Sequence, residues 1–208
     1  MLYQINPNTI NYEEYVKTRS SKTIKDAKRG KKQLEKKGKV EIRVEYEIEN
    51  IQKSSNFHIE KMKEKFQEKV LYEHPEEYIE IYINMIKQAN KEKTKSNVEI
   101  TNLLLNGIII ASTVTLKYKN RKMFILTAYD QKYKEYSPGK ILLHHLVEES
   151  FQNNEIFCLG PNDYGYKKLW STQHYNLNLL TYFFNESAKK IWTPYTNWKY
   201  IGNIIRVG

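Results

Sequence analysis

MFILTAYDQKYKEYSPGKILLHHLVEESFQNNEIFCLGPNDYGYKKLW, residues 123–170, is the stretch on which the reading of this chain turns. An apolar strand, Met123 to Asp130, runs into a polar loop, Gln131 to Lys140. A helix follows over Ile141–Ser150, then a short strand over Glu155–Gly160 and a polar turn ending in Tyr164-Gly-Tyr-Lys-Lys-Leu-Trp170. Ser137-Pro138-Gly139 is a helix start suited to an anion. Ser137 carries an N-capping side chain, Pro138 fits the first helical position, and Gly139 lets a ligand approach the backbone. A strand feeding such a start is a cradle for phosphate or pyrophosphate. Taken alone, the local pattern also fits an ordinary capped helix behind a lysine-rich surface loop.

Immediately upstream lies a meander. Asn97–Leu105 and Ile108–Lys119 are apolar runs joined by Asn106-Gly107, which supplies the positive dihedrals of a tight hairpin turn, and Lys119-Asn120-Arg121 turns the chain into Met123. Farther upstream, Ser20–Lys37 reads as a charged surface helix with Ile24, Ala27, Lys31 and Leu34 on one face and Gly30 weakening its middle. Val40, Ile42, Val44, Tyr46 and Ile48 alternate with polar residues, the period of a half-buried strand. Helical spacing returns over Ile51–Lys69 and again over His74–Glu92, started by Pro75, and these two helices are expected to cover one sheet face. Downstream, His174–Phe184 alternates as a final strand, followed by a short helix and an aromatic tail. The order predicts a mixed α/β (α+β) domain over residues 39–208, preceded by an extension, residues 1–38, that carries the basic helix.

The chain has 208 residues and 40% hydrophobic content, enough to bury one real core, and seventeen tyrosines with seven phenylalanines and three tryptophans argue for packed structure over a disordered tail. A single cysteine, Cys158, excludes an intrachain disulfide and a cysteine-rich zinc module. The N-terminus shows no basic-then-apolar leader pattern, and no apolar run approaches the roughly 20 residues that span a bilayer. A cytoplasmic, membrane-free protein is therefore expected. The net charge of +10 is concentrated: Lys17–Arg43 holds twelve basic residues against Asp26, Glu35 and Glu41.

TAYDQKYKEYSPGKILLHHLVEESF, residues 127–151, followed by LGPNDYGYKKLW, residues 159–170, resembles the C-terminal GNAT acyltransferase domain of the FemAB and CelD-like branch, also called BioF-like acetyltransferases. The resemblance is carried by Tyr129-Asp130 after the strand, the Ser-Pro-Gly helix start, a glycine turn, and Tyr166-Lys167 followed by an aromatic. It extends from about Ser20 to Phe184 and implies a GNAT-like, mostly antiparallel sheet flanked by helices. That branch carries two tandem GNAT-like domains, of which this chain matches the second. It departs from the family at Cys158, where aspartate is usual, and at Asn162, where glycine is common. The chain either uses Asp163 in place of that aspartate or lacks the step. The segment Lys134–Gly139 follows the family's pyrophosphate loop loosely.

What the resemblance implies about the site is specific. The strand Phe124–Tyr129, with Leu126 and Ala128, would splay from the next strand and offer backbone groups to the pantetheine arm of acetyl-CoA or another acyl-CoA. The helix start Ser137, Pro138, Gly139, Lys140 and Ile141 would hold the pyrophosphate, aided by Lys132 and Lys134. Lys167 would stabilise an oxyanion or a substrate phosphate, Tyr164 or Tyr166 would protonate the leaving thiolate, and Asp163 would accept a proton from the amine. Each has a plainer role: Tyr166 and Trp170 as core contacts, Lys167 and Lys168 as solvated charges, Asp163 as a turn cap. His144 and His145 follow the loop on the helix, where at most one can face the site, and His58, His74 and His174 show no metal-ligand spacing. No metal is expected. Cys158 reads as a small core residue.

These features imply an N-acyltransferase that moves an acyl group from acyl-CoA to the amine of an amino sugar, amino acid or other small acceptor. The alternatives are a FemAB-like transferase taking its acyl group from aminoacyl-tRNA and a non-enzymatic polyanion- or protein-binding module on a degenerate GNAT fold. For both, the segment Lys22–Lys39 would meet tRNA or another polyanion. No aromatic residue interleaves those lysines, so a solvated helix face remains the common meaning of such a run. A homodimer is compatible with the composition.

Overall fold

The computed structural model describes residues 1–19, 21–45, 47–66, 96–161, 165–176, 179–180 and 204–205. The helix expected over His74–Glu92, most of the expected final strand and the closing helix lie outside these residues. The described elements in chain order are strand β1 (Leu2–Ile5), helices α1 (Tyr12–Thr18) and α2 (Ser21–Glu35), strand β2 (Val40–Glu45), helix α3 (Ile48–Phe66) and strands β3 (Ser96–Leu105), β4 (Ile108–Tyr118) and β5 (Arg121–Tyr129). A 3-10 turn (Gln131–Tyr136) leads into helix α4 (Pro138–Gln152), strand β6 (Ile156–Pro161), helix α5 (Gly165–Trp170) and strand β7 (Gln173–Tyr175). Leu179–Leu180 (β8) and Ile204–Ile205 (β9) form a separate parallel pair.

β1 to β7 make one sheet in the order β2-β3-β4-β5-β6-β1-β7, antiparallel throughout except where β5 meets β6. The mixed, mostly antiparallel sheet expected from the sequence is thus present. The hairpin β3–β4 turns at Asn106 and Gly107, whose φ values of 52° and 81° are those the Asn-Gly pair was expected to supply. The N-terminal residues, expected as an extension, supply β1, which lies between β6 and β7.

Helices α1, α2 and α4 cover one face of the sheet. Leu34 of α2 packs with Leu103, Leu105, Ile110, Ile141 and Leu142, while Tyr15, Ile24, Leu146, Val147, Phe157 and Trp170 form a second cluster toward β6 and β1. The buried stripe of α2 is Thr23, Ile24, Ala27, Gly30 and Leu34, so Lys31 is exposed and Gly30 takes the inward place that spacing had given to Lys31. Gly30 lies against the 3-10 turn, where a Cβ would overlap the Tyr136 carbonyl. The glycine that weakens the helix is what lets it seat on the turn.

Helix α3 covers the opposite face, with Ile51 on Val98, Ile100 and Val114. It starts at Ile48, because the period-two run ends early: β2 stops at Glu45, whose buried carboxylate accepts from Arg43 Nε (2.9 Å) and Asn102 Nδ2 (3.1 Å). Asn102 also donates to Ser54 Oγ at 2.8 Å, and His58 Nε2 meets Ser112 Oγ at 3.0 Å, so α3 docks partly through polar side chains. Burial pulls the His58 pKa down to about 4, which keeps the ring neutral.

On the other face Lys122 is fully buried, with Nζ 2.9 Å from both Glu99 and Glu149. Burial opposes its charge, but the two carboxylates outweigh burial and hold the ammonium pKa above its ordinary value. The three side chains tie β5 to β3 and α4. Among the described residues no helix is long and apolar enough to cross a membrane.

Two stability predictions follow from these contacts. Helix preference alone makes Gly→Ala worth about 1 kcal/mol of stabilisation. At Gly30 the overlap with the Tyr136 carbonyl reverses the sign, and Gly30→Ala should destabilise by roughly 1–3 kcal/mol in urea unfolding. Unchanged or raised stability would show that α2 does not seat on the turn this closely. The second concerns acid. Because His58 binds its proton only in the unfolded chain, its contribution is complete above pH ~6.5 and is lost as pH falls toward 4, by about 3 kcal/mol in all. The His58→Gln protein should lack that slope.

Candidate active site

The parallel pairing of β5 with β6 lasts three residues: Arg121 with Ile156, Lys122 with Phe157, Met123 with Cys158. Beyond Met123 the strands part. β5 continues along β4 until Tyr129 meets Ala111, and β6 continues along β1 until Pro161 meets Leu2. A bulge assists the parting: Leu126 pairs with Val114 and Phe124 with Thr115, which leaves Ile125 as an extra residue that bends β5. A wedge therefore opens between the strands, and among the described residues one backbone edge of Phe124–Tyr129 has no strand partner. Leu126 is half-buried on this stretch and Ala128 is buried.

At the apex of the wedge three groups meet. Gly160 has φ +79°, a conformation glycine adopts without strain. A Cβ there would lie 3.3 Å from the Phe124 carbonyl oxygen and 3.7 Å from Lys167 Nζ. Lys167 is buried at 5% exposure, and burial lowers its pKa below the ordinary lysine value. It is held there by α5, a helix where the sequence suggested a polar turn. The end of α5 is anchored from α1: Tyr15 Oη donates to the Trp170 carbonyl at 2.8 Å, and Arg19 donates to the Ser171 carbonyl. Neighbouring residues on a helix point about 100° apart. Lys167 thus turns inward while Tyr166 lies on the outer face, 40% exposed. Asp163 and Tyr164, with Asn162, lie outside the described residues.

The wide end of the wedge leads to the 3-10 turn and the start of α4. Asp130 caps the turn by accepting from the Lys132 N–H at 2.9 Å, and the Ser137 N–H closes it on the Lys134 carbonyl at 3.0 Å. Ser137 is left-handed, with φ 53° and ψ 52°, and its side chain makes no cap. The N-cap expected of its hydroxyl is therefore absent, because the left-handed backbone turns that side chain away from the first amides. The Ser137 carbonyl instead accepts from Lys140 and Ile141, at 2.9 and 3.2 Å. Pro138 sits at the first helical position as expected and has no N–H. Gly139 is thus the first-turn residue whose amide is open to a ligand. A Cβ on it would come only within 3.8 Å of the Tyr129 ring, so there is space beside it.

The lysines expected to assist are placed differently from one another. Lys132 and Lys134 are exposed on the turn, whereas Lys140 Nζ is 2.9 Å from Asp26 of α2. His144 faces α1, with Nε2 3.0 Å from Tyr12 Oη and Nδ1 3.5 Å from Glu148, and burial lowers the pKa of both His144 and His145. Cys158 is buried in β6 as a core residue, its thiol pKa raised by burial.

A sequence model of the acetyltransferase (GNAT) domain matches residues 21–168, from the start of α2 to just past Lys167 within α5. The chain belongs to the GNAT acetyltransferase domain family. No curated protein sequence matches it. Among solved structures it is similar to FemX, with a TM-score of 0.59 at 10% identity over 81% of this chain and 58% of that one. It is also similar to a conserved protein of unknown function from Bacteroides thetaiotaomicron, with a TM-score of 0.51 at 12% identity over 76% of this chain and 49% of that one. At these identities the likeness is one of fold, and the chain spans about half the length of these structures. The GNAT match includes α2, so the basic helix belongs to the family's domain.

Proposed function

We propose that this GNAT domain is an acyl-CoA-dependent N-acyltransferase acting on the amine of a small acceptor such as an amino sugar or amino acid. The observation that carries the reading is the convergence of the β5–β6 wedge on Lys167 at one end and on the Gly139 amide at the other. The unpaired edge of Phe124–Tyr129 offers the hydrogen-bonding groups that the amides of a pantetheine arm need. The Gly139 N–H at the positive end of α4 suits a pyrophosphate, with Lys134 beside it. Both walls of the wedge are backbone, so the arm would be held by groups already fixed by the sheet.

Acyl transfer requires the amine lone pair to attack the thioester carbon, the C–S bond to break, and one proton to leave the nitrogen while the thiolate gains one. Negative charge develops on the carbonyl oxygen during attack. Lys167, buried at the apex, places an ammonium where low dielectric makes its charge count most. Positioning by the wedge and this cation can supply much of the rate. Tyr164 and Asp163, in the segment before α5, are the candidates for the proton steps; Tyr166, on the outer face of α5, is turned away from Lys167.

A second reading has its own observation. Lys25, Lys28 and Lys32 form an exposed row along α2, which suits the phosphate backbone of an aminoacyl-tRNA donor. Thermal-shift titration with acetyl-CoA against filter binding of aminoacyl-tRNA separates the two donors.

Two substitutions test the first reading. Gly139→Glu should abolish acetyl-CoA binding by calorimetry while Gly139→Ala keeps or slightly raises the wild-type Tm, since the fold has room for a methyl group there. Wild-type affinity in the Glu variant would remove the helix start from the site. Lys167→Ala should lower kcat by roughly 10²–10³ with donor Kd little changed, and normal turnover would take that lysine out of the mechanism.

A further inference from the structure

The second half of α2 with the two residues after it, and the 3-10 turn before α4, flank an open groove of about 510 Å³, lined by Arg29, Gln33, Lys36, Lys37, Glu135 and Tyr136. We infer that this groove receives the 3′-phosphate of the donor nucleotide, so that the domain distinguishes CoA from 3′-dephospho-CoA. The inference rests on the acyl-CoA reading and adds to it a specificity subsite built from a different helix.

The first argument is position. Tyr136 ends the turn whose next residues, Ser137 to Gly139, open α4. A ligand whose diphosphate lay on the Gly139 amide would have this turn as a neighbour for the rest of its nucleotide. In CoA the diphosphate and the 3′-phosphate are carried by one ribose, so the second anion must fall close to the first. The groove wall formed by the turn is three residues from Gly139.

Charge is the second argument. Three cations face one carboxylate, Glu135, and a phosphate monoester carries about −1.5 to −2 near neutral pH. That match is better than for a singly charged diester, which offers less charge to the same cations. Gln33 adds a side-chain amide able to donate to a phosphate oxygen.

Rigidity is the third. Gly30 brings α2 onto the Tyr136 carbonyl without an intervening side chain, which fixes the spacing of the two walls. Asp26 holds Arg29 Nη2 at 3.1 Å and, through its other oxygen, Lys140 Nζ at 2.9 Å. One carboxylate thereby locks the groove's arginine to the first turn of α4. Lys37 lies over the Tyr136 ring, its Nζ 5.6 Å from the centroid. Arg29 and Lys37 thus have partners before binding and lose less entropy when an anion arrives than free surface side chains do, while Lys36 adds charge from the exposed rim.

Calorimetry with CoA and 3′-dephospho-CoA tests the subsite, using the wild type and a Lys36→Ala/Lys37→Ala protein, whose substitutions lie outside the wedge. Wild type should bind CoA at least about tenfold more tightly, a preference that shrinks as salt rises. The double variant should bind both ligands alike, with dephospho-CoA affinity within about twofold of wild type. Equal affinities in wild type, or a preference that survives the double substitution, would overturn the subsite and leave the donor reading standing. Failure of wild type to bind either ligand would remove the donor reading and the subsite together.

Discussion

Everything proposed for this domain depends on where β5 and β6 stop pairing. Three rungs of parallel ladder hold them together, and past Met123 and Cys158 each is claimed by its other neighbour, β5 by β4 and β6 by β1. A longer ladder would close the wedge and satisfy the edge that a ligand needs. A shorter one would leave β6 and β1 without a junction to the rest of the sheet. The bulge at Ile125 and the positive φ of Gly160 bend the two strands at matching heights, so the parting is built into both.

Around this opening, the elements that carry function are fixed by contacts remote from it. α5 would be a six-residue helix of little intrinsic stability, yet Tyr15 and Arg19 of α1 fasten its end and so aim Lys167. The start of α4 is set by the 3-10 turn, and the turn is in turn pressed by α2 through Gly30. Buried Lys122 joins β5, β3 and α4 below the wedge through Glu99 and Glu149. Such a buried ionic cluster adds little net stability over apolar packing, but removing one member leaves an unpaired charge.

Much of the fold was legible because its signals are local. The Asn106-Gly107 turn, the apolar β4 and β5, and Pro138 at the first turn of α4 each declare themselves within a few residues. What was not legible depends on partners far away in sequence. Leu2–Ile5 is too short to show a period, and it becomes a strand only because β6 and β7 flank it. Gly30 reads as a defect until Tyr136 is placed against it. The left-handed Ser137 has the same sequence as a capping serine, and only its backbone tells them apart. Nothing local marks Lys122 as buried, since its carboxylate partners come from β3 and α4. At the candidate site the sequence pointed to Lys167 and to the Gly139 region. The helical form of α5, which separates Lys167 from Tyr166, could not be read from six residues with no apolar repeat.

The place of β1 in the sheet bears on how the chain reaches this structure. Leu2 pairs with Pro161 on one side and with Tyr175 on the other, so β1 can find neither partner until the chain through β6 and β7 is in place. The central hairpins can form from near neighbours and should precede it, since contacts of high sequence separation form slowly. Until β1 arrives, β6 presents an open edge and Tyr3 and Ile5 stay exposed to solvent, a species inclined to self-associate. Insertion of β1 is then the step that seals the sheet, and because β6 is one wall of the wedge, a binding-competent opening would be among the last features of the domain to mature.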